Sequence, residues 1–514
     1  MNKLQKVIIF FLIATHLFTV LFYFKSTNYL TFSDSAKYAD IAKNIVEEKG
    51  YFRNFIFFSG LKDNFNNTWV ADWPPPITPY SISVFLSAFG ASDMSVRLSS
   101  MFYYFGSLVV LYLLTKKLYS SLVAFLAVLT IGFNVSLLNY ATSGGTEIIF
   151  IFEILLGFYL LTFKKNFADL IVIALIVVMY LTRPQYFIFS FGFLLYFLLN
   201  RFSIKKSLTI LLVGTILWTA LDVIVLSKIN GLGFYYSVFG FGNYGLSSGN
   251  ASDLLRGVDS SFDIVQILKK LIYNLYNFYK ALPEIMNPYL FGLFIIGIFV
   301  WGKEKLQSSF KISVLFVTLL TLLVTALTIP FYRYIHPIVP LVYILAVATL
   351  VNIFKDNKYK VYITTLLVLF FAVGQTLGVI FLDSRFEKKM KNVDKAPIYV
   401  EMSYKLKEVT NKDMVIVTNL DTWGSWYGER KTIWFPLEPS MILPVQDNID
   451  AIYLTSYKMD DENYYMGESW REIFESPEKQ TILPDFKFVG EYEFKSENNY
   501  ERENGRAVLL KRAK

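Results

Sequence analysis

A short polar stretch, TFSDSAKYADIAKNIVEEKGY at residues 31–51, directly follows the first apolar run of a chain that is mostly apolar. It carries Asp34 together with Lys37 and Tyr38, and its pattern predicts a polar helix. Asp34 or the preceding Ser33 fits the cap of that helix, because a short side-chain oxygen accepts from the open N–H groups of a first turn. A carboxylate can also take a proton from an attacking hydroxyl, which accelerates a reaction by about 10²–10⁴-fold. Asp34 is therefore either a helix cap or a candidate general base.

The composition is that of a polytopic membrane protein. Of 514 residues, 54% are apolar and 18% are charged, and Phe and Tyr number 49 and 35. Repeated apolar runs of about 18–22 residues match a hydrocarbon core about 30 Å thick. The net charge of +8 is explained by basic cytoplasmic loops, so we predict no nucleic-acid partner. The lack of cysteine excludes disulfides and thiol nucleophiles, and two histidines, His16 and His336, are too few for a histidine-rich metal site.

Apolar runs predict about 11 transmembrane helices, with the N-terminus in the cytoplasm. They lie near residues 7–24, 95–115, 119–139, 147–163, 168–182, 185–200, 207–227, 287–302, 312–329, 335–353 and 361–382. No small-residue cleavage pattern follows the first run, so we interpret it as a membrane helix and not as a signal peptide. Residues 77–90 are short for a crossing and are predicted to lie on the membrane surface. This arrangement puts the Lys and Arg clusters on cytoplasmic loops, in agreement with the positive-inside bias.

The predicted topology divides the chain into a membrane-embedded catalytic domain at 1–385 and a small extracytoplasmic domain at 386–514. The first outer loop covers 25–94 and contains interfacial helices. A second outer loop, 228–286, is rich in Gly, Ser and aromatic residues; it is either a mobile cover over a cavity or a flexible linker. In the tail, the helical stretch IYVEMSYKLKEVT and the runs MVIVTNL, KTIWFP and AIYLTS predict a small soluble α/β fold. We therefore expect a multi-pass protein of the plasma membrane.

The remaining candidate side chains collect at the outer face of this topology. They are Asp72, Arg97, Glu147, Arg183, Arg333, Tyr334 and His336. Arginine binds phosphate bidentately, and cations stabilise a departing phosphate. Asp34 and Glu147 are also candidate ligands of a divalent metal cation, through their carboxylate oxygens. A lipid-borne phosphate at the membrane surface would place its leaving group at this height.

Several of these residues also have a purely structural interpretation. Glu147 can favour a helix N-terminus through the helix dipole. Arg183 and Arg333 can extend to lipid headgroups, and His336 precedes a proline, where a packing role is common. Glu153 lies within a predicted span, where a charged side chain costs on the order of 2.5–3.5 kcal/mol and usually faces a cavity.

An ordered set of motifs resembles the GT-C glycosyltransferases, and within them the protein O-mannosyltransferase and aminoarabinose transferase group, glycosyltransferase family 39 and its neighbours. The motifs are Ser33–Ala39 with Ala42–Asn44 and Gly50–Tyr51, Trp73–Tyr80, Ser95–Ser99, Tyr140–Glu147, Arg333–Pro337 and Trp426–Thr432. In two places the chain departs from the pattern. Ser35 follows Asp34 where many relatives have an Asp-Glu pair, and Trp73 stands where relatives have a histidine or a charged residue.

The resemblance implies an all-α, GT-C membrane fold and an inverting transferase. Such an enzyme moves a sugar from a polyprenyl-phosphate donor to an extracytoplasmic glycan, lipid or protein. It implies that Asp34 is the base or a metal ligand and that Glu147 is the second acidic residue. Carrier and substrate contacts are expected from Lys37, Tyr38, Asp72, Arg97, Arg183, Arg333, Tyr334 and His336. Two alternatives stay open, namely a transporter or flippase of lipid-linked sugars and a catalytically inactive assembly subunit.

Overall fold

The computed structural model describes residues 3–26, 28–62, 64–71, 75–163, 165–202, 263–300, 304–383, 393–460, 465–495 and 504–513, with the single residues 205, 216, 220 and 390. Most of the predicted span at 207–227 lies outside these ranges. The first part of the predicted outer loop, 228–262, and the candidate Asp72 also lie outside them.

Helices form most of the described chain. They are α1 (Lys3–Lys25), α2 (Ser33–Val46), α3 (Ile77–Phe89), α4 (Asp93–Leu118), α5 (Ser121–Gly132), α6 (Val135–Ala141), α7 (Glu147–Leu161), α8 (Asn166–Tyr180), α9 (Tyr186–Arg201), α10 (Ile264–Lys280), α11 (Leu282–Ile285), α12 (Pro288–Phe299), α13 (Lys305–Leu327), α14 (Val339–Ile353), α15 (Lys360–Val368), α16 (Gly374–Leu382), α17 (Ile398–Val409), α18 (Trp423–Trp426) and α19 (Glu468–Glu475). Short 3₁₀ turns cover Phe58–Gly60, Phe65–Trp69, Tyr332–Tyr334, His336–Ile338 and Pro439–Asn448, and a π-helical turn, Leu369–Val373, joins α15 to α16.

Three helical segments of the described chain are long and apolar enough to cross a membrane: Asp93–Leu118, Lys305–Leu327 and Tyr332–Ile353. The number rises to five if each of two bent helix pairs is one span. One of these pairs, α5 and α6, corrects the prediction of a single helix at 119–139, because its two parts meet at 71°. The break has a local cause: the side chain of Asn134 accepts from Leu137 N at 3.0 Å and starts a new helix. The count of about 11 spans stays a prediction.

The described part of the predicted second outer loop, residues 263–286, is largely helical, which neither of its two interpretations, mobile cover or flexible linker, predicted. Asp263 caps α10 by accepting from Val265 N at 2.9 Å and Gln266 N at 3.3 Å. One side of α10 is buried, and its Asn274 donates from Nδ2 to Ala326 O of α13 at 2.8 Å. The cap and the apolar periodicity of 264–280 are the signals of this helix.

Five strands of the tail and one strand of the first predicted outer loop form a six-stranded sheet with the order β1-β3-β2-β4-β6-β5. The strands are β1 (Phe55–Ile56), β2 (Val415–Thr418), β3 (Lys431–Trp434), β4 (Ala451–Thr455), β5 (Phe486–Lys495) and β6 (Asn504–Arg512). The first four in the sheet order are parallel, and β6 and β5 add an antiparallel edge. The three predicted strands are confirmed as β2, β3 and β4. One strand, β1, comes from the first outer loop, so this loop and the tail fold together.

Candidate active site

The polar helix α2 begins at Ser33 and places Asp34 in its first turn. The preceding residue, Phe32, is extended and provides no side-chain cap, so the prediction that Ser33 or Asp34 caps the helix is wrong. The reason is that both carboxylate oxygens of Asp34 are engaged elsewhere. Oδ1 accepts from Lys37 Nζ at 2.8 Å, and Oδ2 accepts from Arg333 Nη1 at 2.5 Å.

The two cations determine the charge of Asp34. Burial by itself raises the pKa of this carboxyl group, but the attraction of Lys37 and then of Arg333, with their hydrogen bonds, outweighs it. The pKa of Asp34 therefore lies well below its usual range, and the group is ionised at neutral pH. Its side chain is 28% exposed, so Asp34 is not sealed in the protein interior.

A second acid–cation pair joins Glu147, the first residue of α7, to Arg183. Glu147 Oε1 lies 3.0 Å from Arg183 Nη1 without the alignment of a hydrogen bond, and the two side chains are only 9% and 6% exposed. The turn before α7 depends on glycine. Gly144 has φ +83°, and a Cβ there would lie 2.4 Å from the Val96 side chain. A larger residue would therefore displace the turn that carries Glu147.

Tyr334 brings the two arginines together. The guanidinium carbons of Arg183 and Arg333 each lie 5.3 Å from the centre of its ring, within the range of a cation–π contact. The side chain of Gln185 donates to Tyr334 O at 2.8 Å, which ties the turn of Arg183 to that of Arg333. Arg333 Nε is buried and finds no hydrogen-bond acceptor among the described residues. The N–H group of Arg333 Nε can therefore donate a hydrogen bond to a bound anion.

Tyr38 connects the two pairs. Its buried phenol interacts electrostatically with Asp34, Glu147, Arg183 and Arg333, so all four charges surround one side chain. Burial, followed by the two carboxylates, raises the pKa of Tyr38 well above its usual value, so its hydroxyl stays neutral. One cluster therefore brings together residues of the first loop, the turn at Gly144 and two later turns. Its members are Asp34, Lys37, Tyr38, Glu147, Arg183, Arg333 and Tyr334.

The contacts described for Arg97 lie outside this cluster, whereas His336 makes its hydrogen bonds elsewhere but interacts electrostatically with Glu147 and Arg183. Arg97 donates to Thr142 O at 2.9 Å and to Phe24 O, and its guanidinium lies 4.2 Å from the Phe24 ring centre. These contacts tie α1 and α4 to the Gly144 turn. His336 Nδ1 shares a 2.5 Å hydrogen bond with Tyr140 Oη, and its Nε2 lies 3.3 Å from the carbonyl oxygen of Glu284. The role of both residues in substrate binding stays a prediction.

A metal site at Asp34 and Glu147 does not fit the donor set. Within the described ranges, no group of three or more His, Asp or Glu side chains is arranged to hold a metal ion. Both oxygens of Asp34 are taken by cations, and Glu147 faces the guanidinium of Arg183. A divalent cation would have to displace these cations before it could bind.

The tail contacts two of the elements around this cluster, α2 and α4, in a way that no sequence pattern predicted. Asp93, at the start of α4, accepts from Trp426 Nε1 and from Tyr427 Oη, each at 2.7 Å. Glu429 accepts from Lys43 of α2 at 2.9 Å. The motif Trp426–Thr432 was the only signal of this interface, and local patterns could not show which surface it would contact.

The chain is similar to known proteins in sequence and in fold. Residues 74–225 match the family model of dolichyl-phosphate-mannose-protein mannosyltransferases. A crystal structure of ArnT from Cupriavidus metallidurans bound to undecaprenyl phosphate has 10% identity and a TM-score of 0.55, covering 99% of this chain and 98% of that one. The oligosaccharyltransferase AglB from Archaeoglobus fulgidus, in complex with an inhibitory peptide and a dolichol-phosphate, has 11% identity and a TM-score of 0.55. The match covers 90% of this chain and 71% of that one.

A further structure of the Archaeoglobus fulgidus oligosaccharyltransferase, in complex with Zn and sulfate, has 12% identity and a TM-score of 0.52, covering 93% of this chain and 71% of that chain. No curated protein sequence matches the chain. The fold is therefore that of membrane-embedded GT-C proteins, with a sheet in the C-terminal part. The resemblance predicted from the sequence, to the GT-C glycosyltransferases and among them to the mannosyltransferase and aminoarabinose transferase group, is confirmed.

Proposed function

We propose that the protein is an inverting glycosyltransferase, which moves a sugar from a polyprenyl-phosphate carrier to an acceptor hydroxyl on the extracytoplasmic side. The observation that carries this proposal is the cluster itself. One carboxylate, that of the partly exposed Asp34, lies beside two guanidinium groups that share the ring of Tyr334. The acceptor belongs to a glycan, a lipid or a protein.

The two arginines are suited to the phosphate of the donor. Arginine binds phosphate oxygens with two parallel N–H groups, and such charge-assisted bonds are roughly twice as strong as neutral ones. Each arginine pairs with one carboxylate, but the side chain of Arg183 is only 6% exposed, whereas that of Arg333 is 29% exposed and its Nε has no acceptor in the described structure. Arg333 is therefore the first contact that we assign to the phosphate, with Arg183 as a second positive charge behind Tyr334.

Arg333 also links donor binding to the basicity of Asp34. In the structure it donates to Asp34 and so weakens this group as a base. A donor phosphodiester competes for the same guanidinium, because it also carries a negative charge and its two free oxygens can accept two parallel N–H groups. When Arg333 turns toward the phosphate, Asp34 loses one of its two cations and its pKa rises toward the working range of a general base.

The transfer step then follows as a single displacement. The acceptor oxygen forms a bond to the anomeric carbon while its proton passes to Asp34. The bond between the anomeric carbon and the phosphate oxygen breaks, and its electron pair leaves with the carrier phosphate. Attack from the face opposite the leaving group inverts the configuration. Arg333 and Arg183 stabilise the charge that develops on the departing phosphate.

The location of the reaction rests on the predicted topology. Lysine and arginine clusters between the apolar runs favour a cytoplasmic N-terminus. Asp34 follows α1 and the tail packs around α2, so one side of the membrane would hold the cluster and the C-terminal domain together. A plasma-membrane location with an outer active site is part of the proposal.

The test is incubation of the purified protein with a panel of polyprenyl-phosphate sugars, with mass spectrometry of the released carrier phosphate. Asp34→Asn should reduce release by about 10²–10⁴-fold. The matched control is Asp169→Asn, because Asp169 also pairs with an arginine, Arg201 Nη2 at 2.9 Å, but lies in another part of the protein. Release by the Asp34 variant at the rate of the control would refute the assignment of Asp34.

The same preparation separates the alternatives. Movement of lipid-linked sugar across vesicles without any released carrier phosphate would favour a flippase. A well-folded protein that neither moves nor cleaves any donor of the panel would favour an inactive assembly subunit. Carrier release that requires an acceptor in the mixture supports the transferase.

A further inference from the structure

The C-terminal part holds the chain just before the helix of Asp34. Leu30 is fully buried, and both of its backbone polar groups bond to tyrosines of the tail. Its N–H donates to Tyr427 Oη at 2.9 Å, and its carbonyl oxygen accepts from Tyr399 Oη at 2.8 Å. These tyrosines lie more than 350 residues further along the sequence, so this contact belongs to the tertiary structure alone.

The start of α2 is held in the same way. Thr422 Oγ1 donates to Ser33 O, the carbonyl oxygen that immediately precedes Asp34 in the chain. Among the described residues of the first loop, no side chain caps this end of the helix. The position of the first turn of α2, and of the carboxylate on it, therefore depends on the tail.

Tyr427 further joins these elements to the membrane part. Its hydroxyl group accepts from Leu30 N and donates to Asp93 Oδ2 at 2.7 Å. Trp426 Nε1 donates to Asp93 Oδ1 at 2.7 Å, so both oxygens of Asp93 are used. One phenol thus connects the segment before α2, the start of α4 and the tail helix α18. The side chains of Trp426 and Tyr427 are both buried.

A second set of contacts holds the middle of α2. Asp40 accepts from Asn54 N at 2.7 Å and from Asn54 Nδ2 at 2.8 Å, and Asn54 O accepts from Thr432 N of β3 at 2.7 Å. Lys43 donates to Glu429, as does Lys407 of α17 at 2.7 Å. The tail therefore contacts α2 at its start and along its length, which resists both sliding and tilting of the helix.

From these contacts we propose that the C-terminal domain is a positioning element of the active site, with Tyr427 and Thr422 as its positioning residues. The inference rests on the proposed function, since it assigns to these residues the placement of Asp34 relative to Arg333. We assign neither residue a contact with the donor or the acceptor. Their effect on the reaction passes through the backbone of residues 30–34.

The geometry makes the reaction sensitive to these contacts. Asp34 and Arg333 lie on segments 299 residues apart, so no local structure fixes the distance between them. A misplacement of about 1 Å, caused by a change far from the chemistry, can lower a rate on the order of 10²-fold. Loss of one of the two holding contacts should therefore reduce kcat by about 10- to 100-fold.

The experiment removes single hydroxyl groups and measures steady-state carrier release over a range of pH. Tyr427→Phe deletes the atom that joins Leu30 to Asp93 and keeps the ring. The control is Tyr404→Phe, because Tyr404 is half exposed and its ring centre lies 6.0 Å from that of Tyr427. We expect Tyr427→Phe to lower kcat with an unchanged KM for the donor, and Tyr404→Phe to leave both unchanged.

The pH profile separates positioning from a lower yield of folded enzyme. If Asp34 moves away from Lys37 and Arg333, its pKa rises, and the acid limb of kcat/KM shifts to higher pH. Fewer folded molecules would lower the rate without moving that limb. A rate that falls only in proportion to the folded fraction, with an unmoved acid limb, would overturn the proposal.

A conservative pair keeps the proposal testable if Tyr427→Phe does not fold. Thr422→Val removes the hydroxyl that reaches Ser33 O, whereas Thr422→Ser keeps it. We expect Thr422→Val to show the same loss of kcat and the same shift of the acid limb, and Thr422→Ser to restore both. Equal behaviour of the two variants would contradict the positioning role.

Hydrogen exchange provides a readout that does not need activity. Amides in a peptide covering residues 28–38 should exchange faster in Tyr427→Phe and Thr422→Val than in the wild type, because their holding contacts are lost. If the wild type releases no carrier phosphate, the proposed function fails, while faster exchange still supports the contact role of the tail. Unchanged exchange at 28–38 overturns the inference, whatever the wild-type activity is.

Discussion

Replacing Tyr334 by leucine removes the ring that separates and aligns two guanidinium groups. Arg183 and Arg333 each lie 5.3 Å from the ring centre. A cation–π contact contributes about 0.5–1 kcal/mol at exposed sites and about 2 kcal/mol when it is desolvated. The side chain of Arg183 is buried and that of Arg333 is 29% exposed, and the contacts share one ring. We therefore expect a combined loss of about 1–2 kcal/mol, which corresponds to roughly 5- to 30-fold in donor affinity.

Tyr334→Phe is the matched comparison, because phenylalanine keeps the ring and loses only the hydroxyl. Steady-state carrier release should give a donor KM raised by roughly 5- to 30-fold for the leucine variant and close to wild type for the phenylalanine variant. We expect a small effect on kcat, since Asp34 keeps its contact with Lys37. Two variants with equal donor KM would show that the ring does not organise the phosphate site.

Three further predictions concern the same cluster. Glu147→Gln leaves Arg183 buried without a counter-charge, which costs on the order of 3–5 kcal/mol; thermal unfolding in detergent should shift to lower temperature, and an unchanged midpoint would contradict the buried pair. The pKa of Asp34 is depressed in the free enzyme, so kcat/KM should stay constant down to below about pH 4. In the donor complex the phosphate draws Arg333 away from Asp34, so kcat should begin to fall at a higher pH than kcat/KM does. If kcat and kcat/KM fall over the same pH range, this coupling is refuted. Gly144→Ala, at φ +83°, should destabilise the protein by about 1–2 kcal/mol or more, as measured by the same thermal assay, and a neutral effect would argue against the left-handed turn.

Several features of the site could be predicted from local sequence. Local patterns predict the helix at 33–46 and the start of a helix at Glu147. They can do so because hydrogen bonds within a helix connect residues that are close along the chain. Apolar runs likewise locate the described membrane helices, because burial in an apolar phase depends on run length and composition. The break between α5 and α6 was missed, since the residues on both sides of it are apolar.

The antiparallel strands β5 and β6 and the short strand β1 were also not predicted. β1 contains two residues and owes its existence to its pairing with Thr432 and Ile433 of the tail. A strand of this length has no periodicity of its own, so a distant partner must supply its hydrogen bonds. The start of α2 also depends on a distant partner. It has no local side-chain cap in the described structure, and contacts with the tail hold it instead.

The sequence by itself determined which ionisable side chains stand at the ends of helices and turns, because these positions depend on short stretches of chain. Asp34 and Lys37 form a local pair, three residues apart in α2, whereas only the tertiary structure decided which distant cation each acid faces. Asp34 pairs with Arg333 across 299 residues, and Glu147 pairs with Arg183. Such pairing depends on how helices pack against one another. The strength of an electrostatic pair depends on the distance between the two charges in space. For these two pairs, the spacing along the chain does not determine that distance.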